Sequence, residues 1–172
     1  VELNPANAPK IMAVASRATR DAGREMDVAK KHFQRKRPFW IDQGNICRPR
    51  EELGDTFDYP SGHTTAGWTW ALVLAQVAPD HASSILARGR SIGESRVVCG
   101  VHNASAVEGG RYTADAVMAL VSANEEYRAD VDAARAELAK LRQSGAKPDP
   151  ARCEKEAALV SLPIMGKERS GH

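Results

Sequence analysis

The run AGWTWALVLAQVA, Ala66 to Ala78, constrains this chain more than any other stretch. It carries no charge, and Gln76 is the polar interruption near its end. A bilayer-spanning helix needs about 20 apolar residues, so this run is too short to cross a membrane. Pro79-Asp80 then breaks it. It reads as a buried helix, and a helix that is apolar nearly all round must be covered by other elements. No period-two alternation persists anywhere in the chain, so that cover has to be helical. The expected fold is all-α, a compact multi-helix bundle.

Other segments have the matching pattern. Ile11, Ala15, Ala18, Ala22, Met26, Ala29 and Phe33 recur at spacings of three and four, predicting a helix from about Pro5 to Phe33. HASSILARGRSIGESRVV predicts another, with Ile85, Leu86 and Ile92 turned inward. A third runs from about Ala104 to Ser122. Tyr127, Val131, Ala134, Leu138 and Leu141 then mark an amphipathic helix that ends near Gly145. These elements make one helical domain over 1–145, followed by a weakly structured tail over 146–172 with at most one short helix. Trp68 and Trp70 belong to the core or a pocket wall, and His32, His81 and His172 face solvent.

A chain of 172 residues with a net charge of +2 has no global basic field, so no nucleic-acid surface is expected and any anion site must be local. The opening VELNPANAPK lacks the apolar segment of a signal peptide, although a mature exported chain would begin in the same way. Cys47, Cys99 and Cys153 lack metal-ligand spacing. In an oxidising compartment a Cys47–Cys153 bridge is the expected pairing, since both fall in loop-like regions, with Cys99 a packed thiol.

The segment from Arg37 to Gly62 is rich in Pro, Gly and Asp and reads as a long loop of the kind that carries sites. It ends in YPSGHTTAGW. That stretch has a plain reading, a loop end followed by a helix capped by Thr64 or Thr65. It also has a chemical one: N–H groups at a helix start attract an anion, and a neighbouring histidine exchanges a proton with it. Upstream, KKHFQRKRPF places Lys30 and Arg37 seven residues apart, about two helical turns, so that both can point the same way. Downstream, GESRVVCGVHNASA places Ser95-Arg96 six residues ahead of His102. Each alone is compatible with a solvated basic face or a cap. The ordered set K-x6-R-P, P-S-G-H and S-R-x5-H favours the chemical reading.

With these motifs the chain resembles the class A nonspecific bacterial acid phosphatases, within the type 2 phosphatidic acid phosphatase superfamily that also holds the vanadium haloperoxidases. The resemblance runs from about Ala29 to Lys140. It implies that Lys30, Arg37 and Arg96 bind phosphate oxygens, with hydrogen bonds from Ser61, the Gly62 N–H and Ser95. It also implies that His102 is the nucleophile, forming a phosphohistidine, and that His63 is the general acid and then the base. The expected activity is metal-independent hydrolysis of small phosphomonoesters with broad specificity and no cofactor, in a periplasmic or secreted protein. Vanadate or phosphate could occupy the site, and a homodimer is compatible with it. A vanadate-dependent peroxidase is the more distant alternative. Histidine titrates ordinarily at about 6.5, so a protonated His63 beside a neutral His102 implies an acid optimum.

Two departures from the family pattern stand out. The family has an aspartate four residues after the second histidine to hold its ring, and this chain has Ala106 there. The expectation is therefore a protein that binds phosphate but turns over slowly. Only 29 residues precede Lys30, fewer than usual, so the N-terminal helices look reduced or trimmed.

Overall fold

The computed structural model describes residues 3–42, 44–145 and 147–161, and all regular structure among them is helical. The first helix, α1 (Pro9–Phe33), begins with proline at its first position and ends at Gln34, which turns left-handed with φ 44°. Proline tolerates that start because the first N–H groups of a helix have no intrahelical partner. Lys30, Lys31 and His32 fill the last turn, where cations suit the negative end of the helix dipole. The long loop that follows contains a short helix, α2 (Pro38–Ile41), and a 3₁₀ turn at Arg50–Glu52. Then come α3 (Gly62–Val77), a 3₁₀ turn at Pro79–His81, α4 (Ala82–Val98), α5 (Ala104–Ser122), α6 (Glu125–Gln143) and α7 (Pro150–Ser161).

The apolar run forms α3, and α3 is the centre of the bundle, packed against α1, α4, α5 and α6. One core joins Ile11, Val14, Ala15 and Ala18 of α1 to Val73 and Val77 of α3, Met118 of α5, and Tyr127, Val131 and Ala134 of α6. Two glycines let the helices approach this closely. A Cβ at Gly89 would overlap the Ala71 methyl, so α4 can lie against α3 only with glycine there. A Cβ at Gly110 would come within 2.8 Å of the Ser61 carbonyl oxygen. That glycine lets α5 press against the start of α3, where Ser61 N–H donates to the Ala106 carbonyl at 2.9 Å.

The all-α expectation holds, and most helix limits agree with the sequence pattern. The first helix starts at Pro9 rather than Pro5, because the preceding residues are used in a turn built on Asn4. Its predicted stripe fades toward the C-terminus: Met26 and Ala29 are half-buried and Phe33 is 56% exposed. There the chain leaves the core for the loop. Ile85, Leu86 and Ile92 are half-buried, as are Trp68 and Trp70, while His32 and His81 are exposed. The tail does contain a helix, α7, which touches α4 and pairs Glu156 with Arg88. His172 lies outside the described residues. Among the described residues no helix is long and apolar enough to cross a membrane.

The disulfide expectation is corrected. Cys47 bonds to Cys99, across a Cα–Cα distance of 4.9 Å, and Cys153 is a free, exposed thiol on α7. Cys99 caps the C-terminus of α4, and Gly100 follows with φ 73°, a left-handed turn that suits glycine. This turn lays Cys99 against the loop, where its carbonyl accepts from Cys47 N–H at 3.2 Å. A small apolar cluster of Phe39, Cys99 and Val101, flanked by Ile46 and Leu53, packs around the joint.

Candidate active site

Three pieces of chain meet at the end of the bundle where α1 stops and α3 and α5 begin. The first runs from the last turn of α1 into the loop. Lys30 Nζ donates to the Phe57 carbonyl. Arg37 lies beyond the end of α1, in the extended residue before α2, so Lys30 and Arg37 do not share a continuous helix as their spacing suggested. Arg37 is nonetheless 7% exposed and tightly held. Its Nε donates to the Thr56 carbonyl at 3.0 Å, its Nη2 to Thr56 Oγ1 at 2.8 Å, and its Nη1 to the Val101 carbonyl at 3.0 Å.

The second piece is the start of α3. Ser61 is the residue before the helix, fully buried, and its hydroxyl accepts from Thr64 N–H. The capping residue is therefore Ser61 rather than Thr64 or Thr65. Gly62 opens the helix and His63 follows it, exposed on the first turn. The third piece joins α4 to α5. Arg96 points both its Nε and Nη2 at Ser95 Oγ, at 3.1 and 3.0 Å, while Ser95 donates to the Ile92 carbonyl. His102 is 2% exposed and sits between Arg37 and Asp58.

The electrostatics show that these pieces converge. His63 titrates below its ordinary value, first because it is partly desolvated and then because Arg96, Arg37, Arg48 and Lys30 repel its proton. His102 is also lowered, by burial first, with Asp58 opposing and Arg37 and Lys30 adding to the depression. The two rings thus feel two of the same cations, Arg37 and Lys30. Burial and the neighbouring Arg37 push Lys30 down to about 8. An anion placed among these groups would oppose each depression, because the opposite charge favours the protonated form. Among the described residues, no group of three or more His, Cys, Asp and Glu is placed to hold a metal ion.

The expectation that His102 lacks a carboxylate partner is corrected. Ala106 is buried on the first turn of α5, but His102 Nδ1 lies 2.8 Å from Asp58 Oδ1. Asp58 also receives Arg35, whose Nε is 2.9 Å from Oδ2, and Asn103, whose Nδ2 is 2.8 Å from Oδ2. Asp58, Arg35, Asn103 and Thr56 were not among the residues the sequence pointed to. The signal for Asp58 was faint: an acid residue immediately before YPSGH in a chain that lacks one at position 106.

The family model described as the PAP2 superfamily matches residues 11–129. An acid phosphatase of Zymomonas mobilis subsp. mobilis is 41% identical over 158 residues, covering 91% of this chain and 60% of that protein. A non-specific acid phosphatase of Providencia stuartii is 36% identical over 140 residues, covering 80% of this chain and 56% of that protein. Another from Salmonella typhimurium is 38% identical over 112 residues, covering 64% and 45% respectively. The chain thus spans about half of the length of the relatives it matches.

Proposed function

Because this chain belongs to the PAP2 superfamily, we propose that it is a metal-independent acid phosphatase that hydrolyses small phosphomonoesters through a phosphohistidine at His102. The observation that carries the reading is the state of the His102 ring. Its Nδ1 is engaged by a carboxylate, and its Nε2 accepts from Arg37 Nη1 at 3.1 Å. Nε2 therefore holds the lone pair, and it faces a guanidinium suited to a phosphoryl oxygen.

Phosphoryl transfer is mostly positioning and charge stabilisation. Lys30, Arg37 and Arg96 supply the charge, Arg37 and Arg96 through planar forks. The Gly62 N–H at the start of α3 adds a donor where helix N–H groups are unpaired. In the first step His102 Nε2 attacks phosphorus, the ester P–O bond breaks, and the leaving oxygen takes a proton from His63. In the second step neutral His63 takes a proton from water, the hydroxide oxygen bonds to phosphorus, and the N–P bond breaks. His63 ends protonated and His102 neutral, as both began. Ser61 and Ser95 serve chiefly to hold the start of α3 and the Arg96 guanidinium, and their hydroxyls complete the oxygen cage.

The depressed His63 fits this scheme only with substrate present, since a bound phosphate offsets the cations that repel its proton. It also places the working range on the acid side of neutrality. The Cys47–Cys99 bond suits an oxidising, exported location, periplasmic or secreted. The relatives' names support the substrate class.

The test is p-nitrophenyl phosphate hydrolysis in the presence of a chelator, with alkaline-quench mass spectrometry of the protein. We expect turnover and a phosphate adduct on His102. His63→Ala should accumulate that adduct, because p-nitrophenolate leaves without an acid whereas water still needs a base. Turnover that survives His102→Ala, or that disappears with the chelator, would sink the reading.

A further inference from the structure

We propose that Asp58 is the residue that positions His102 for attack, supplying from the loop ahead of α3 the carboxylate that position 106 of α5 lacks. The inference rests on the phosphohistidine reading above. Its ground is the hydrogen-bond inventory of one side chain. Asp58 is 0% exposed, and both of its oxygens are engaged. Oδ1 accepts from His102 Nδ1–H at 2.8 Å and from Asn103 N–H at 3.2 Å. Oδ2 accepts from Asn103 Nδ2–H at 2.8 Å and from Arg35 Nε–H at 2.9 Å, and Arg35 Nη2 completes the ion pair at 2.8 Å.

This arrangement does three things for the His102 ring. It holds the proton on Nδ1, so Nε2 keeps its lone pair. It prevents the ring from rotating, because Asp58 itself cannot move without breaking bonds to two other residues. It also places a negative charge behind the ring, where positive charge grows as Nε2 bonds to phosphorus. Burial alone would raise the pKa of the Asp58 carboxyl. The bonds from His102 and Asn103, with the Arg35 guanidinium, more than offset that and hold its carboxyl below the ordinary value.

Arg35 ties the unit to the rest of the site. Its Nη1 donates to Ser105 Oγ at 2.9 Å on α5, and its guanidinium lies 5.0 Å from the centre of the Tyr59 ring. The Asp58 N–H in turn donates to the Arg35 carbonyl at 2.8 Å. The positioning carboxylate is thereby locked to the loop, to the segment after α1 and to the first turn of α5. Position 106 is itself buried, and the Ala106 carbonyl accepts from Ser61 N–H.

The experiment uses Asp58→Asn, Ala106→Asp and His102→Ala in the full chain, with p-nitrophenyl phosphate kinetics, phosphate calorimetry and ¹⁵N-edited NMR of the histidines. Asp58→Asn should lower kcat by at least about tenfold and by up to roughly 10⁴, the drop that loss of the orienting aspartate produces in a serine protease. KM and phosphate affinity should change less than about threefold, a split that general loosening of the fold would not give. In the unaltered protein His102 should show a single tautomer protonated on Nδ1, and that pattern should be lost in Asp58→Asn. A kcat within about threefold of the parent in Asp58→Asn overturns the proposal. Should that variant not fold, the parent alone decides: a His102 protonated on Nε2 overturns it. Ala106→Asp should not raise kcat, and a rise of about tenfold or more would mean that His102 was unsupported, which also overturns it. Survival of turnover in His102→Ala instead removes the phosphohistidine reading itself and is recognisable as that separate failure.

Discussion

Arg37 Nη1 lies 3.1 Å from His102 Nε2, although 65 residues of chain separate them. The guanidinium that would bind a phosphoryl oxygen therefore holds the very lone pair that would attack phosphorus. In the proposed mechanism an arriving phosphate would draw that N–H from the ring to the anion and free Nε2 in the same movement. Lysine cannot do this, because a point charge lacks the fork that reaches Thr56, Val101 and His102 together. Arg37→Lys should lower kcat/KM by about 10²–10³, the size expected for losing one well-aimed transition-state donor. Steady-state kinetics check it, and a loss below about threefold would make Arg37 a purely structural residue.

Lys30 titrates at about 8, pushed down by burial and by Arg37. It is charged below that pH and neutral above it, so a contribution to phosphate binding is present at low pH and fades as pH rises. Calorimetry between pH 7 and about 9.5 should show phosphate affinity falling through this range. Lys30→Gln should bind more weakly at pH 7 and lose the fall. A parent curve that is flat above pH 7 would remove Lys30 from the site.

His63 gives a second pH signature. Its folded pKa is lowered by partial burial and then by the surrounding cations, so the acid form is lost as pH rises through a value below about 6.5. In the free protein this limits kcat/KM from the alkaline side. A bound phosphate ester raises the same group, so the alkaline limb of kcat should lie at higher pH than that of kcat/KM. Coincident limbs, or limbs unmoved in His63→Ala, would show that another group titrates.

The Cys47–Cys99 bond spans a sequence separation of 52 and holds the loop next to Val101 and His102. Closing a loop of that length limits the unfolded chain by about 4 kcal/mol in the chain-entropy treatment. Cys47→Ser should lower the denaturation midpoint and reduce kcat/KM, since Arg37 and Asp58 belong to the loop that the bond pins. Cys153→Ser should change neither. Equilibrium unfolding with matched kinetics measures both, and equal behaviour of the two variants would contradict the assignment.

Gly110 tests the packing of α5 on α3. An alanine Cβ there would stand 2.8 Å from the Ser61 carbonyl oxygen and 2.9 Å from Thr64 Cβ, neither of which can move without shifting the start of α3. Gly110→Ala should destabilise the protein by about 1–3 kcal/mol, although glycine-to-alanine ordinarily favours a helix. It should also reduce turnover by displacing His63. A thermal melt at or above that of the parent would show that the two helices have more room than this.

The helices and the residues along them were legible in the sequence because they follow from the helix's own repeat. Ile11, Ala15, Ala18 and Ala22 share a face whatever the rest of the chain does, and an apolar α3 must be surrounded. The order of Lys30, Arg37, Ser61, His63, Arg96 and His102 was also legible, since each lies in a short motif whose residue types are written side by side. Arg37, His102 and Asp58 depend instead on where an irregular loop settles, and no local repeat governs that. Position 106 looked decisive because it is one helical turn from His102 along the chain, yet His102 lies before α5 and its ring meets Asp58, 44 residues earlier. The cysteine pairing was lost for the same reason: Gly100 turns Cys99 back onto Cys47, while Cys153 lies on α7, which packs against α4. A buried carboxylate takes whichever donors the packed chain brings to it, so its partners are chosen by the tertiary structure.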